Sequence, residues 1–303
     1  MFEEIHNNEA SEQEEVVLKV IIQRHGPKLS ASGEKNQLAT YFADSVKQGF
    51  QVTGISEGEG LVHVNSSPVT RAADTAKIDI AELSHTQHRF KDMVVKKEAL
   101  AVLFQPLADA EDPRFARDLE RIVKMQKKIE PEVREEVLLE ESNLVSEEKE
   151  AEIRNVIDMR VLTVLFNDVH TNKKTFETSY TELADKFAER YKGFLQHIGM
   201  LKERKREGGR QPVDEPYVQV DITHSFPVMC FLKKYLVFAD GVSAESLSPE
   251  DFFERTGGII RESGFMEMLY ISNSNKDLKE EKMAIAIRGS FGKGQEFSGE
   301  VSF

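Results

Sequence analysis

The sequence predicts an α/β fold: a three-layer sandwich with a mostly parallel central sheet flanked by helices, plus a helical insertion. Three observations lead there. Apolar and β-branched runs begin near Val16, Leu61 and Tyr217, and continuous runs of this kind suit strands buried on both faces of a parallel sheet. Loop residues and then a stretch with helical spacing follow each run, which is the alternation of a layered α/β architecture. From about residue 109 to 209 the strand signal stops, and Glu, Lys and Arg surround apolar positions spaced along one helical face.

Taken in order, residues 1–15 are acidic and polar and read as a disordered tail. Val16 to Gln23 is a strand that ends on Arg24 and His25, and Ser30, Ser32 and Gly33 supply loop chemistry before a helical stretch from Glu34 to Gln48. Leu61 to Val64 is a second strand, closed by Asn65, Ser66, Ser67 and Pro68. Val69 to Leu83 is alanine-rich with helical spacing, so Arg71 falls in the first turn of a helix. A further strand is expected near Met93 to Lys97. Asp112 to Lys149, Glu150 to Phe166 and Phe176 to Lys205 read as amphipathic helices, the last ending in the charged run KERKREGG. Such charge ordinarily marks a solvated helix face; the sharper reading is a lid that covers a site and selects its ligand. Past Pro216 the alternation returns, with a strand from Tyr217 to Ile222, a turn carrying His224 and a helix from Pro227 to Phe238. Phe265 to Ser272 and Met283 to Arg288 read as two more strands, antiparallel neighbours at the sheet edge. The expected organisation is therefore an α/β core of residues 16–108 and 210–303, with 109–209 inserted into it.

Composition narrows the function. The formal net charge of −13 disfavours nucleic acid and anionic membrane surfaces, which are held by clustered Lys and Arg; an anionic ligand would need a local basic pocket. One cysteine, Cys230, allows no intrachain disulfide and fits a reducing compartment. The first residues lack a basic start and apolar stretch, and no run approaches the length of a membrane helix. A cytoplasmic location is expected. The remaining histidines show no metal-ligand spacing, so neither metal nor cofactor is expected.

In an open α/β sheet, ligands bind beyond the C-terminal ends of the parallel strands. Arg24 and His25 follow one strand, Arg71 follows another at a helix start, and His224 follows a third. Singly, each is an ordinary loop or surface residue; together, at three strand ends, they form a constellation. The tripeptide RHG at 24–26, SSPVTRAADTA at 66–76 and the histidine within DITHS at 221–225, in that order, resemble the histidine phosphatase superfamily, which includes cofactor-dependent phosphoglycerate mutases and acid phosphatases. The resemblance covers residues 16–100 and 215–240 and leaves the charged middle unmatched.

The resemblance implies phosphomonoester hydrolysis with His25 as the nucleophile, giving a phosphohistidine that water then hydrolyses. Arg24, Arg71 and His224 would bind the phosphoryl oxygens. The chemistry suits the residue types, since splitting a displacement in two is ordinary nucleophilic catalysis and preset donors must meet charge spread over equatorial oxygens. Planar guanidinium forks suit that task better than lysine, and a helix start adds backbone N–H groups to the cradle around Arg71.

The sequence departs from the family pattern in two places. Pro27 follows RHG where many members carry a polar residue, stiffening the loop, and Lys28 then stands where some phosphatases place another phosphate-binding base. Ser225 follows the second histidine, where the acid phosphatase and phytase branch has its acid, so that branch is disfavoured. The mutase-like branch implies Glu98 as the proton donor, with Asp109 and Glu111 as alternatives; such a donor needs a raised pKa. The expected substrate is a small phosphorylated metabolite or phosphopeptide. A phosphoglycerate mutase-like phosphotransferase and a non-catalytic phospho-ligand or protein-binding module are the alternatives. Oligomeric state is left open by the sequence.

Overall fold

The computed structural model describes residues 13–26, 62–66, 70–85, 113–140, 146–168, 175–189, 191–193, 217–262, 264–275, 280–292 and 295–302. Seven strands form one sheet: β1 (Gln13–Arg24), β2 (Val62–Ser66), β3 (Tyr217–Thr223), β4 (Leu236–Phe238), β5 (Phe265–Asn275), β6 (Glu280–Gly292) and β7 (Gln295–Val301). Their spatial order is β2-β3-β1-β5-β6-β7-β4. The helices are α1 (Thr70–His85), α2 (Pro113–Glu140), α3 (Ser146–Asn167), α4 (180–189, with helix again at 191–193), α5 (Ser225–Tyr235) and α6 (Pro249–Thr256).

Helices do flank the sheet on both faces, but the expectation of a mostly parallel sheet is corrected. Among the described residues, only the β1–β3 and β2–β3 pairs are parallel, whereas β1–β5, β5–β6, β6–β7 and β4–β7 are antiparallel. The physical reason is connection length: β5, β6 and β7 follow one another through short links, and a short link can join only antiparallel neighbours. Phe265–Ser272 and Met283–Arg288 are antiparallel neighbours as expected, yet not at the edge. β5 lies between β1 and β6, and among the described strands the edges are β2 and β4. β1 begins at Gln13, inside the expected tail, because Gln13, Glu14 and Glu15 pair with Ser274, Asn273 and Ser272. The expected helix to Phe238 stops at Tyr235, and Leu236–Phe238 pairs with β7 instead. The expected helix at 34–48 and strand at 93–97 lie outside the described residues.

Alternation along β1 divides two cores. Ile21 packs with Val64, Ala72, Ala76, Val218, Val220 and Ile222 beneath α1. Leu18, Val20 and Ile22 face the other way, into a larger cluster that includes Leu162, Phe166, Phe187 and Phe231 from α3, α4 and α5. α2 and α3 form a hairpin sealed by Val133, Val137, Ile153 and Ile157. Among the described residues, no helix is long and apolar enough to cross a membrane.

Candidate phosphate-binding site

Register brings the two histidines together. In the parallel pair β1–β3, Arg24 stands opposite Thr223, so the residues that follow them, His25 and His224, leave adjacent strand ends side by side. The His25 backbone N–H donates to the Thr223 carbonyl at 3.1 Å, and that of Arg24 donates to the Gly264 carbonyl at 2.9 Å. Those bonds fix both sides of the β1 terminus. The Gly26 N–H donates to Thr75 Oγ1 at 3.0 Å, which ties the turn after His25 to α1.

The His25 ring, 5% exposed, is oriented at both nitrogens. Nδ1 is 2.7 Å from the Gly26 carbonyl oxygen and Nε2 is 2.9 Å from His224 Nδ1. A carbonyl oxygen only accepts, so Nδ1 carries a hydrogen and the neutral ring bears its lone pair on Nε2. In that state the His224 Nδ1–H donates to it. The rings meet edge-on, with centroids 4.7 Å apart and an interplanar angle of 69°. His224 is also the N-cap of α5, in extended conformation and with no side-chain cap, so the imidazole pair adjoins the positive end of a helix.

Arg24 is buried, and its guanidinium reaches α3. Nη1 donates to Asn155 Oδ1 at 3.2 Å and to the Ile260 carbonyl at 2.9 Å, while Nη2 donates to Asp158 Oδ2 at 3.1 Å. Gln126 Nε2 donates to the second oxygen of Asp158 at 3.0 Å. Burial pushes the Asp158 carboxyl above the usual carboxylate range, against the opposing pull of Arg24 and Gln126. Two further buried atoms here, Arg24 Nε and Thr223 Oγ1, have no hydrogen-bond partner among the described residues. Buried polar groups are almost always paired, and these two residues stand opposite each other in register on adjacent strands.

Of the residues singled out in the sequence, the structure brings His25 and His224 into contact, while Arg24, the last residue of β1, turns its guanidinium to Asn155, Asp158 and the Ile260 carbonyl. Arg71 occupies the first turn of α1, and its side chain lies outside the described residues, as do Lys28, Glu98, Asp109 and Glu111. Sequence reasoning missed Thr75, Asn155, Asp158 and Gln126. Thr75 carried a signal, standing four residues beyond Arg71 and therefore on the same helix face. Asn155 and Asp158 carried only a weak one, as short polar residues three apart in a segment whose Ile153, Ile157 and Val161 are buried.

No family model matches the chain, and no curated protein matches it. Among solved structures it is similar to a mycobacterial hydrolase, "Mycobacterial hydrolase 2", at 13% identity and a TM-score of 0.38 over 95% of this chain and 94% of that one. It is similar to a mycobacterial glucosyl-3-phosphoglycerate phosphatase in complex with inorganic phosphate at 12% identity and a TM-score of 0.35, over 84% and 90% of the two chains. A Hafnia alvei phytase in complex with tartrate is similar at 9% identity and a TM-score of 0.42, over 95% and 91%.

Proposed function

We propose that this chain is a phosphomonoester hydrolase working through a phosphohistidine intermediate on a small phosphorylated metabolite or phosphopeptide. The observation that carries the reading is the His25 ring, with Nδ1 held by the Gly26 carbonyl and Nε2 facing a second imidazole. That arrangement leaves the nucleophilic lone pair on the nitrogen pointing into the site. An entering phosphoryl group would replace the contact between the imidazoles, taking phosphorus to His25 Nε2 and one oxygen to His224.

In the first step a bond forms from His25 Nε2 to phosphorus and the ester P–O bond breaks. The departing oxygen takes a proton from a carboxylic acid, a role proposed for Glu98 with Asp109 and Glu111 as alternatives. Water then attacks phosphorus, giving a proton back to the same carboxylate, the P–N bond breaks, and orthophosphate leaves with the imidazole and the carboxylic acid restored. Arg24, Arg71 and Lys28 are the proposed cationic partners of the oxygens, which carry the charge that must be stabilised in both steps. Residues 109–209 are the proposed lid.

Incubation with 4-nitrophenyl phosphate tests the reading. The expected result is release of nitrophenol that His25→Ala lowers by at least about a thousandfold, the scale on which loss of a nucleophile acts. No release from a broad panel of phosphoesters would falsify hydrolysis, and retained phosphate binding in that case would identify a phospho-ligand-binding module.

A further inference from the structure

We infer that Asp158 and Asn155 on α3 are positioning residues for Arg24: they and the Ile260 carbonyl hold one part of its guanidinium and leave the rest for a phosphate. The inference deepens the phosphatase reading and rests on it.

A guanidinium has five N–H groups and no acceptor. Nη1 has two, and both are engaged, by Asn155 Oδ1 at 3.2 Å and the Ile260 carbonyl at 2.9 Å. Nη2 gives one to Asp158 Oδ2 at 3.1 Å. What remains is the second hydrogen of Nη2 and the hydrogen of Nε, and Nε is buried with no partner among the described residues. Nε and Nη2 together form one of the two-pronged edges with which arginine grips paired oxygens. Thr223, opposite Arg24 in register and so on the same face of the sheet, adds a buried hydroxyl that also lacks a partner among the described residues.

The clamp is braced in turn. Gln126 on α2 donates to Asp158 Oδ1 at 3.0 Å, so both helices of the α2–α3 hairpin set where the carboxylate stands. A buried arginine on a long flexible stem gains reach and loses aim; three fixed acceptors restore the aim and leave the Nε hydrogen without a partner among the described residues. The α2–α3 hairpin therefore acts on the site through Arg24. The rival arrangement, in which Asp158 competes with the anion for Arg24, predicts the opposite sign for the same substitution.

Binding of orthophosphate and orthovanadate to the full chain, followed by calorimetry, tests the inference alongside KM and kcat for 4-nitrophenyl phosphate. Asp158→Ala and Asn155→Ala are each expected to weaken phosphate binding about tenfold, within the range of couplings between contacting groups. Asp158→Asn keeps an acceptor for Nη2 and is expected to recover most of that loss. In an Arg24→Ala background, Asp158→Ala should change phosphate affinity no further, whereas a residue that serves only to hold the fold would show its loss in either background. Should Asp158→Ala fail to fold, Gln126→Ala, which loosens the carboxylate without exposing it, is expected to weaken phosphate binding in the same direction. Affinity equal to or tighter than that of the unaltered chain in Asp158→Ala or Gln126→Ala overturns the inference and leaves the phosphatase reading standing. Failure of the unaltered chain to bind phosphate overturns both.

Discussion

Attack on phosphorus requires an imidazole with one bare nitrogen, and at His25 a single carbonyl arranges this. The aim of that carbonyl depends on the turn that carries it, and the turn is fastened by the Gly26 N–H to Thr75 Oγ1 bond. Thr75→Val keeps the shape and removes the acceptor, leaving a buried N–H unpaired. The expected cost is about 1–3 kcal/mol of stability, read from the denaturant midpoint, together with a lower kcat as the Gly26 carbonyl drifts from Nδ1. Much of the site at this scale could be read from the chain. RHG and THS are three-letter signals, but each closes an apolar run, so strand periodicity alone places them at strand ends. Asn155 and Asp158 were hidden for a plain reason: they stand 131 and 134 residues from Arg24 in the chain, and nothing local to α3 records which cation they meet.

Elements show what periodicity omits. A run of alternating or apolar residues identifies a strand without stating its direction, so β5 and β6 were legible as strands while the antiparallel character of the sheet was legible only from the short links between β5, β6 and β7. β4 escaped because Leu236, Val237 and Phe238 continue the composition of α5 without interruption. Its pairing with β7 depends on Gly299, where an added Cβ would sit well inside van der Waals contact of the Val237 carbonyl oxygen and 2.9 Å from Leu236 Cδ1. Gly299→Ala is therefore expected to destabilise the chain by about 1–3 kcal/mol, as overpacking does, seen as a lower thermal midpoint. The α2–α3 hairpin has a different dependence. Arg134 bonds Glu150 and Glu130, and the bond to Arg134 holds the Glu150 carboxyl below its ordinary range although burial opposes it. A depressed folded pKa contributes stability above the unfolded value that is lost as pH falls through the folded one. Circular dichroism should accordingly show helix loss steepening as pH falls below about 4, and Arg134→Ala should flatten that acid limb while lowering stability at neutral pH.

At the scale of the molecule, helices α3 and α4 and the sheet share one interior. Phe166 of α3 lies with its ring centroid 5.2 Å from that of Tyr180, 5.9 Å from Phe252 and 5.8 Å from Phe253, in the same cluster as Val20 and Ile22 of β1. Phe166→Ala is expected to cost about 3–5 kcal/mol. Because the cluster is continuous, far-ultraviolet ellipticity and aromatic near-ultraviolet signals should move together to a lower midpoint, and two separated transitions would show that the helices fold as an independent body. The layered architecture was legible from alternation alone; the shared interior was not, since an amphipathic helix states that it has a buried face without naming what covers it. The position of β1 carries a last consequence. It precedes every other described strand in the chain, yet its two neighbours in the sheet are β3 and β5, and His25 precedes its companion imidazole by 199 residues. At roughly 5–20 residues per second, a ribosome needs on the order of ten to forty seconds to supply the second histidine. Throughout that interval the nascent chain carries Val20, Ile21 and Ile22 without their strand partners, a sticky edge of the kind that invites pairing with other chains, and termination anywhere before β3 yields a product with one imidazole of the pair and no finished sheet.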